Sequence, residues 1–195
     1  MVTSMDRLVN ANFPNLLSLP NEAEVVFRKL PIPPRLYAHS LLVHDVANKL
    51  LEKLNGTWGN LNINKNLVLF GAAGHDIGKS VYINELSEEG HKHEREGFRL
   101  LRSLGFSEEK SQFAAFHALW SESSTLEELA VSLADKIWKG SRVPDLEDLA
   151  VAKIAAVTNR ERWEVFRSLD TVIQVIARDS DKRLFFQNNF SAITL

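Results

Sequence analysis

The chain has no cysteine. Disulfides and thiolate metal ligands are therefore excluded, and the absence suits a reducing cytoplasm. No uninterrupted apolar stretch approaches the roughly 18–20 residues of a membrane span. The opening MVTSMDRLVNANFP lacks the charged-then-apolar layout of a signal peptide. An excess of positive charge is missing too. Lys and Arg number 23 against 25 Asp and Glu, a net charge of −2, so there is no broad basic surface of the kind nucleic-acid binding needs. Internal repeats, low-complexity tracts and hairpin signals are also lacking. These absences leave a soluble, cytoplasmic protein without membrane or nucleic-acid partners, and 195 residues suffice for one domain with a single core.

What is present starts with GAAGHDIGKS at residues 71–80, which follows the apolar run NLVLF and ends in Gly-Lys-Ser. A phosphate-cradling loop needs a glycine five residues before the glycine of that ending. Counting back from Gly78, position 73 holds Ala73, and Gly71 and Gly74 are out of register. Such a loop also needs a parallel sheet behind it, and little of the chain has strand character. The His-Asp pair inside the stretch is the remaining candidate for chemistry.

The periodicity is helical throughout and predicts an all-α bundle. Residues 35–54 place Leu36, His39, Val43, Val46, Ala47 and Leu50 on one stripe, with PIPP before it and Asn55-Gly56 as a stop. Residues 66 to about 76 read as a nearly all-apolar, hence central, helix, although periodicity alone does not separate the short run LVLF from a strand. Further helices are expected over 91–104 and about 108–120. Another follows the Thr125/Glu128 capping-box pattern and closes at Gly140, and later ones open at Pro144 and span 161–178 and 181–190. Residues 1–34, which hold five of the six prolines, suit a short helix and an extended arm packed on the bundle.

The histidines carry the functional signal. His39 sits mid-stripe. His93 shares a helical face with Gly97, Leu100, Leu101 and Leu104, and His117 lies among Phe113, Phe116 and Trp120. Asp135 falls on the Val131–Ala134–Trp138 face, and His75-Asp76 ends the apolar helix. His44, on a face with Ser40, Asn48 and Glu52, is expected on the surface, as is His91. Any one buried histidine is most simply a core residue bonded to a carbonyl. Four histidines and two acids from five helices need a common partner, because a buried polar group costs free energy unless satisfied. A metal centre satisfies all of them. Imidazoles and carboxylates without thiolates suit Fe, Mn, Co, Ni or Zn. Six side chains exceed the four of a tetrahedral site and fit two adjacent metals bridged by one carboxylate. Lys136, beside Asp135, is expected to point outward.

The chain resembles the HD superfamily of metal-dependent phosphohydrolases. The motif is His39 in RLYAHSLLV, His75-Asp76 in GHDIGK and Asp135 in LADKI, in the family's order. His93 and His117 fall where a dinuclear subset adds two histidines. That layout is similar to bacterial HD proteins that split diadenosine tetraphosphate. The resemblance implies an HD-domain helical bundle with its core over 35–140, an N-terminal arm over 1–34 and C-terminal helices over 141–195. It implies a phosphohydrolase acting on a nucleotide or related small-molecule phosphate. Two divalent metals, with Mg added to the candidates above, would supply an activated hydroxide. Asp76 would bridge them, with His39, His75 and Asp135 completing one site and His93 and His117 the other. Lys79, and less strongly Arg35, would neutralise substrate phosphate. One alternative is a mononuclear HD-type 5′-nucleotidase, in which His93 and His117 contact phosphate. Another is a non-catalytic signalling bundle with an inherited metal site.

Overall fold

The computed structural model describes residues 16–59 and 61–192, so residues 1–15 of the expected arm lie outside the described residues. In order the helices are α1 (Asn21–Lys29), α2 (Pro34–Trp58), α3 (Lys65–Gly74), α4 (Lys92–Ser103), α5 (Glu108–Phe116), α6 (Leu126–Ile137), α7 (Pro144–Thr158), α8 (Arg162–Ala177) and α9 (Ser180–Asn188). Two short 3-10 turns, Ile77–Ser80 and Ile83–Leu86, lie between α3 and α4. Among the described residues there is no strand, and the fold is an all-α bundle. None of the described helices is long and apolar enough to cross a membrane.

Local chemistry sets the ends. Pro34 opens α2, where its missing N–H and fixed φ are no cost. The Asn64 side chain caps α3 by accepting from Leu67 N–H, and Thr125 with Glu128 forms the expected capping box on α6. The stop of α2 is not Asn55-Gly56. Both stay helical, and Gly59 ends the helix in the left-handed region at φ 47°. Helix α5 is shorter than its pattern, ending at Phe116, so His117 caps it and Phe116 is exposed.

Helix α2 is the axis of the bundle. It packs against α3, α6, α8 and α9. The face judged solvated is therefore enclosed as well: Ser40, His44, Asp45 and Asn48 are all buried, and only the end of that face, at Glu52, is open. His44 is thus a buried residue, 2% exposed, with Nδ1 lacking a hydrogen-bond partner. Periodicity reports which residues share a face, not how many neighbours close on it. Helix α1 seals a smaller core, setting Leu19, Ala23, Val26 and Phe27 against Leu41, Phe70 and Ala73.

Two contacts position the elements that carry the site. A β-carbon on Gly78 would overlap the His93 carbonyl and stand 2.6 Å from the Gly97 nitrogen. Only glycine lets the turn after Asp76 lie against the first turns of α4. At the other end Arg183 of α9 is fully buried. It donates from Nε to the Trp138 carbonyl at 2.7 Å, and from Nη2 to Ile176 at 2.8 Å and Ile137 at 3.3 Å. One guanidinium thus satisfies the ends of α6 and α8, where carbonyls lack intrahelical partners and a cation complements the dipole.

Candidate metal centre

Six buried side chains converge from five parts of the chain. His39 projects from the middle of α2 and Asp135 from the last turn of α6. His75 and Asp76 follow the end of α3, where the backbone leaves the helix at Asp76, φ −98° and ψ 11°. His93 is the second residue of α4, and His117 follows α5. Half of the set therefore sits just past helix ends rather than on helix faces.

Asp76 is the hinge of the arrangement. Its Oδ2 lies 3.2 Å from His39 Nε2 and 3.7 Å from His75 Nε2, while Oδ1 lies 3.2 Å from His93 Nε2 and 3.5 Å from His117 Nε2. His39 and His75 present Nε2 atoms 3.2 Å apart. Asp135 Oδ1 joins that pair, 3.4 Å from His75 and 3.8 Å from His39. Two ligand groups result, His39–His75–Asp76 and Asp76–His93–His117, sharing one carboxylate.

The donors fit metal ions. Neighbouring ligands on a metal about 2.1 Å away stand about 3.0–3.4 Å apart, close to the separations around Asp76. Asp76 Oδ1 and His93 Nε2 face each other yet neither has a hydrogen-bond partner, and both are buried. A proton on His93 Nε2 would satisfy both at once, as would a metal ion between them. The outer nitrogens are arranged for this. His75 Nδ1–H donates to the Ala72 carbonyl at 3.0 Å, and His117 Nδ1–H to the Phe113 and Ala114 carbonyls at 3.2 Å. Each bond leaves Nε2 free as a ligand. For His93 the acceptor is Glu85 Oε2, at 2.6 Å. His39 Nδ1 has no acceptor, and its ring stands edge-on to Trp138.

Charge follows the geometry. Burial works against ionising both aspartates, but the facing histidines and lysines hold both well below the usual carboxylate range. Each cluster has one histidine that favours its proton and one that resists it. Burial lowers His39, and it takes His117 to about 4 with help from His75. Burial also opposes protonation of His75 and His93, but Asp76, joined by Asp135 for His75 and Glu85 for His93, raises both. The centre attracts positive charge in each half.

A cleft of about 390 Å³ opens onto the centre. Arg35, Lys79, Lys136 and Lys139 all line it. Lys79 Nζ donates to Asp76 Oδ2 at 2.6 Å. Lys136 does not point outward: it lines the cleft and donates to Asp135 Oδ2 at 2.7 Å, because Asp135 sits within reach across the same helix edge. Arg35 is held from the C-terminal side, its Nη2 donating to Asn188 Oδ1 and its backbone N–H to the Ser191 carbonyl. Leu184 and Gln187 of α9 form part of the wall. His91 is exposed as expected, bonded to Glu94 at the cleft rim. Sequence reasoning missed Glu85 altogether. It lies in a polar, non-periodic segment, and only the fold brings it to His93.

An all-α bundle with buried histidines and aspartates grouped around one shared carboxylate has side chains that could hold metal ions. The HD domain model matches residues 36–138, more than half of the chain and inclusive of all six side chains. The chain belongs to the HD domain family, a superfamily of metal-dependent phosphohydrolases. Searches of the curated proteins and of the solved structures returned no match.

Proposed function

We propose that the protein is a metal-dependent phosphohydrolase that cleaves a phosphoester or phosphoanhydride bond in a nucleotide or related phosphate. The division of Asp76 between two histidine pairs carries the reading, since it supports two adjacent cations sharing one carboxylate. His39, His75, Asp76 and Asp135 would hold one metal, and Asp76, His93 and His117 the other. Divalent Fe, Mn, Co, Ni, Zn or Mg would supply Lewis acidity toward phosphoryl oxygens and a water-derived nucleophile at neutral pH.

The chain's own groups supply the rest. Lys79 and Lys136 flank the centre through Asp76 and Asp135, placed to neutralise the phosphoryl group undergoing attack. Arg35 and Lys139 extend the positive lining farther along the cleft, and neither forms an ion pair among the described residues. A substrate with more than one phosphate suits four cations better than a monophosphate does. This agrees with the likeness to HD proteins that split diadenosine tetraphosphate. A mononuclear 5′-nucleotidase would leave the Asp76 Oδ1–His93 pairing without a cation.

The test is a panel of nucleotides, dinucleoside oligophosphates and generic phosphodiesters with Mn²⁺, Co²⁺ or Fe²⁺, metal content being measured in parallel. Turnover with close to two metals per chain is the expected result. Absence of turnover on the whole panel would sink the proposal, and one metal per active chain would favour the mononuclear form.

A further inference from the structure

We infer that Glu85 is the positioning residue that makes Asp76–His93–His117 a metal site, by fixing the tautomer and direction of the His93 ring. The inference rests on the metal-centre reading above and concerns its second half. A neutral imidazole offers one lone pair, and which nitrogen carries it is set by what the other nitrogen bonds. Glu85 Oε2 lies 2.6 Å from His93 Nδ1. An ionised carboxylate can only accept, so Nδ1 keeps the proton and the lone pair is at Nε2, facing Asp76 Oδ1.

Glu85 is itself fixed. It is buried in the turn Ile83–Leu86, Oε2 also accepts from His93 N–H at 3.1 Å, and Oε1 accepts from Lys92 N–H at 3.2 Å. Both oxygens are therefore occupied by donors, and glutamine cannot replace the group without turning its NH₂ toward one of them. Gly90 closes the arrangement. A β-carbon there would lie 2.5 Å from Glu85 Oε1 and 2.6 Å from Cδ, so the loop before α4 covers the carboxylate only because residue 90 has no side chain.

The two accepted backbone N–H groups belong to the first turn of α4, so Glu85 also serves that helix end. The roles separate by experiment. A helix-end anion alone would stabilise the chain equally with and without metal. A positioning carboxylate acts on one metal step and on the tautomer, and such partners are worth about 10- to 100-fold in metal affinity. The inference also reaches Gly90, which touches no ligand: Gly90→Ala should push the Glu85 carboxylate aside and reproduce the effect.

Calorimetric titration of the full chain with Zn²⁺ alone, and with Mn²⁺ alone, is the test. Wild type, Glu85→Gln, Glu85→Ala and Gly90→Ala are compared, with ¹⁵N ring-nitrogen spectra and melting of the metal-free forms recorded alongside. The expected result is two binding steps in wild type, one of which weakens about 10- to 100-fold in all three variants while the other holds. The Nδ1–H signature of His93 should be lost in Glu85→Ala. Two outcomes overturn the inference: unchanged affinity at both steps, or equal weakening of both together with a drop in metal-free melting. Wild type that takes up no metal removes the underlying reading as well, whereas normal two-metal uptake with silent variants removes this inference alone.

Discussion

Asp76 concentrates the centre's dependence in one side chain. Four imidazoles aim at its two oxygens, and Lys79 is bonded to one of them. Asp76→Ala should therefore remove metal from both halves and abolish hydrolysis while leaving helical content near wild type, read by metal analysis and circular dichroism. Normal turnover in that variant would show the assignment to be wrong. His44 gives a different residue-scale prediction. Burial, with a smaller contribution from Lys65, takes it from the ordinary 6.5 to about 4, so the folded state keeps it neutral. The unfolded chain takes up that proton first. The stabilisation is full above pH 6.5, declines as pH falls toward 4, and amounts to about 3 kcal/mol across that window. His44→Leu removes the penalty. Urea unfolding should show the variant gaining on wild type by up to about 3 kcal/mol between pH 8 and pH 4, and a constant difference would contradict it. Residues of this kind separate what was legible from what was not. His39 and His93 stand out among apolar neighbours, and their burial follows from the pattern. His44 stands among Ser40 and Asn48, and only the closing of the bundle buries it.

At the scale of elements, the centre depends on two close approaches. Gly78→Ala puts a methyl group against the α4 backbone, which cannot rotate away as a side chain can. The expected cost is about 1–3 kcal/mol in unfolding free energy, together with weaker metal binding as the turn and α4 separate. Arg183→Met leaves the carbonyls of Ile137, Trp138 and Ile176 without their donor. Each lost partner costs about 1–3 kcal/mol, so a marked fall in the urea midpoint is expected, and a shift under about 1 kcal/mol would show that water replaces the guanidinium. The helices themselves were largely legible, since proline, capping boxes and apolar spacing act locally. Their ends were less so. Helix α2 continues through Asn55-Gly56 to Gly59, and α5 stops at Phe116 despite a pattern that runs on, because chain direction there is decided by what the helix meets. Glu85 belongs with these: no local rule links residue 85 to residue 93.

Over the whole molecule, a net charge of −2 conceals a local concentration of charge, with four cationic side chains on one cleft beside the carboxylates of Asp76, Glu94 and Asp135. Hydrolysis of an anionic substrate should weaken with added salt through KM more than through kcat, measurable between about 0.05 and 0.5 M NaCl. The HD motif was readable because its residues carry their meaning in type and order. The lining was readable only in part: Lys79 and Arg35 were candidates from the motif, whereas Lys139 and Gln187 are ordinary polar residues until the bundle closes. Arg183 gives this arrangement a further consequence. It ties α9 to the helix that bears Asp135, while its neighbours Leu184 and Gln187 face the cleft from outside the matched residues 36–138. Under the proposed function, reaction chemistry and choice of substrate would be written in separate parts of the chain. Exchanges at positions 184 and 187 would then retune which phosphate compound is accepted while the metal ligands are inherited unchanged.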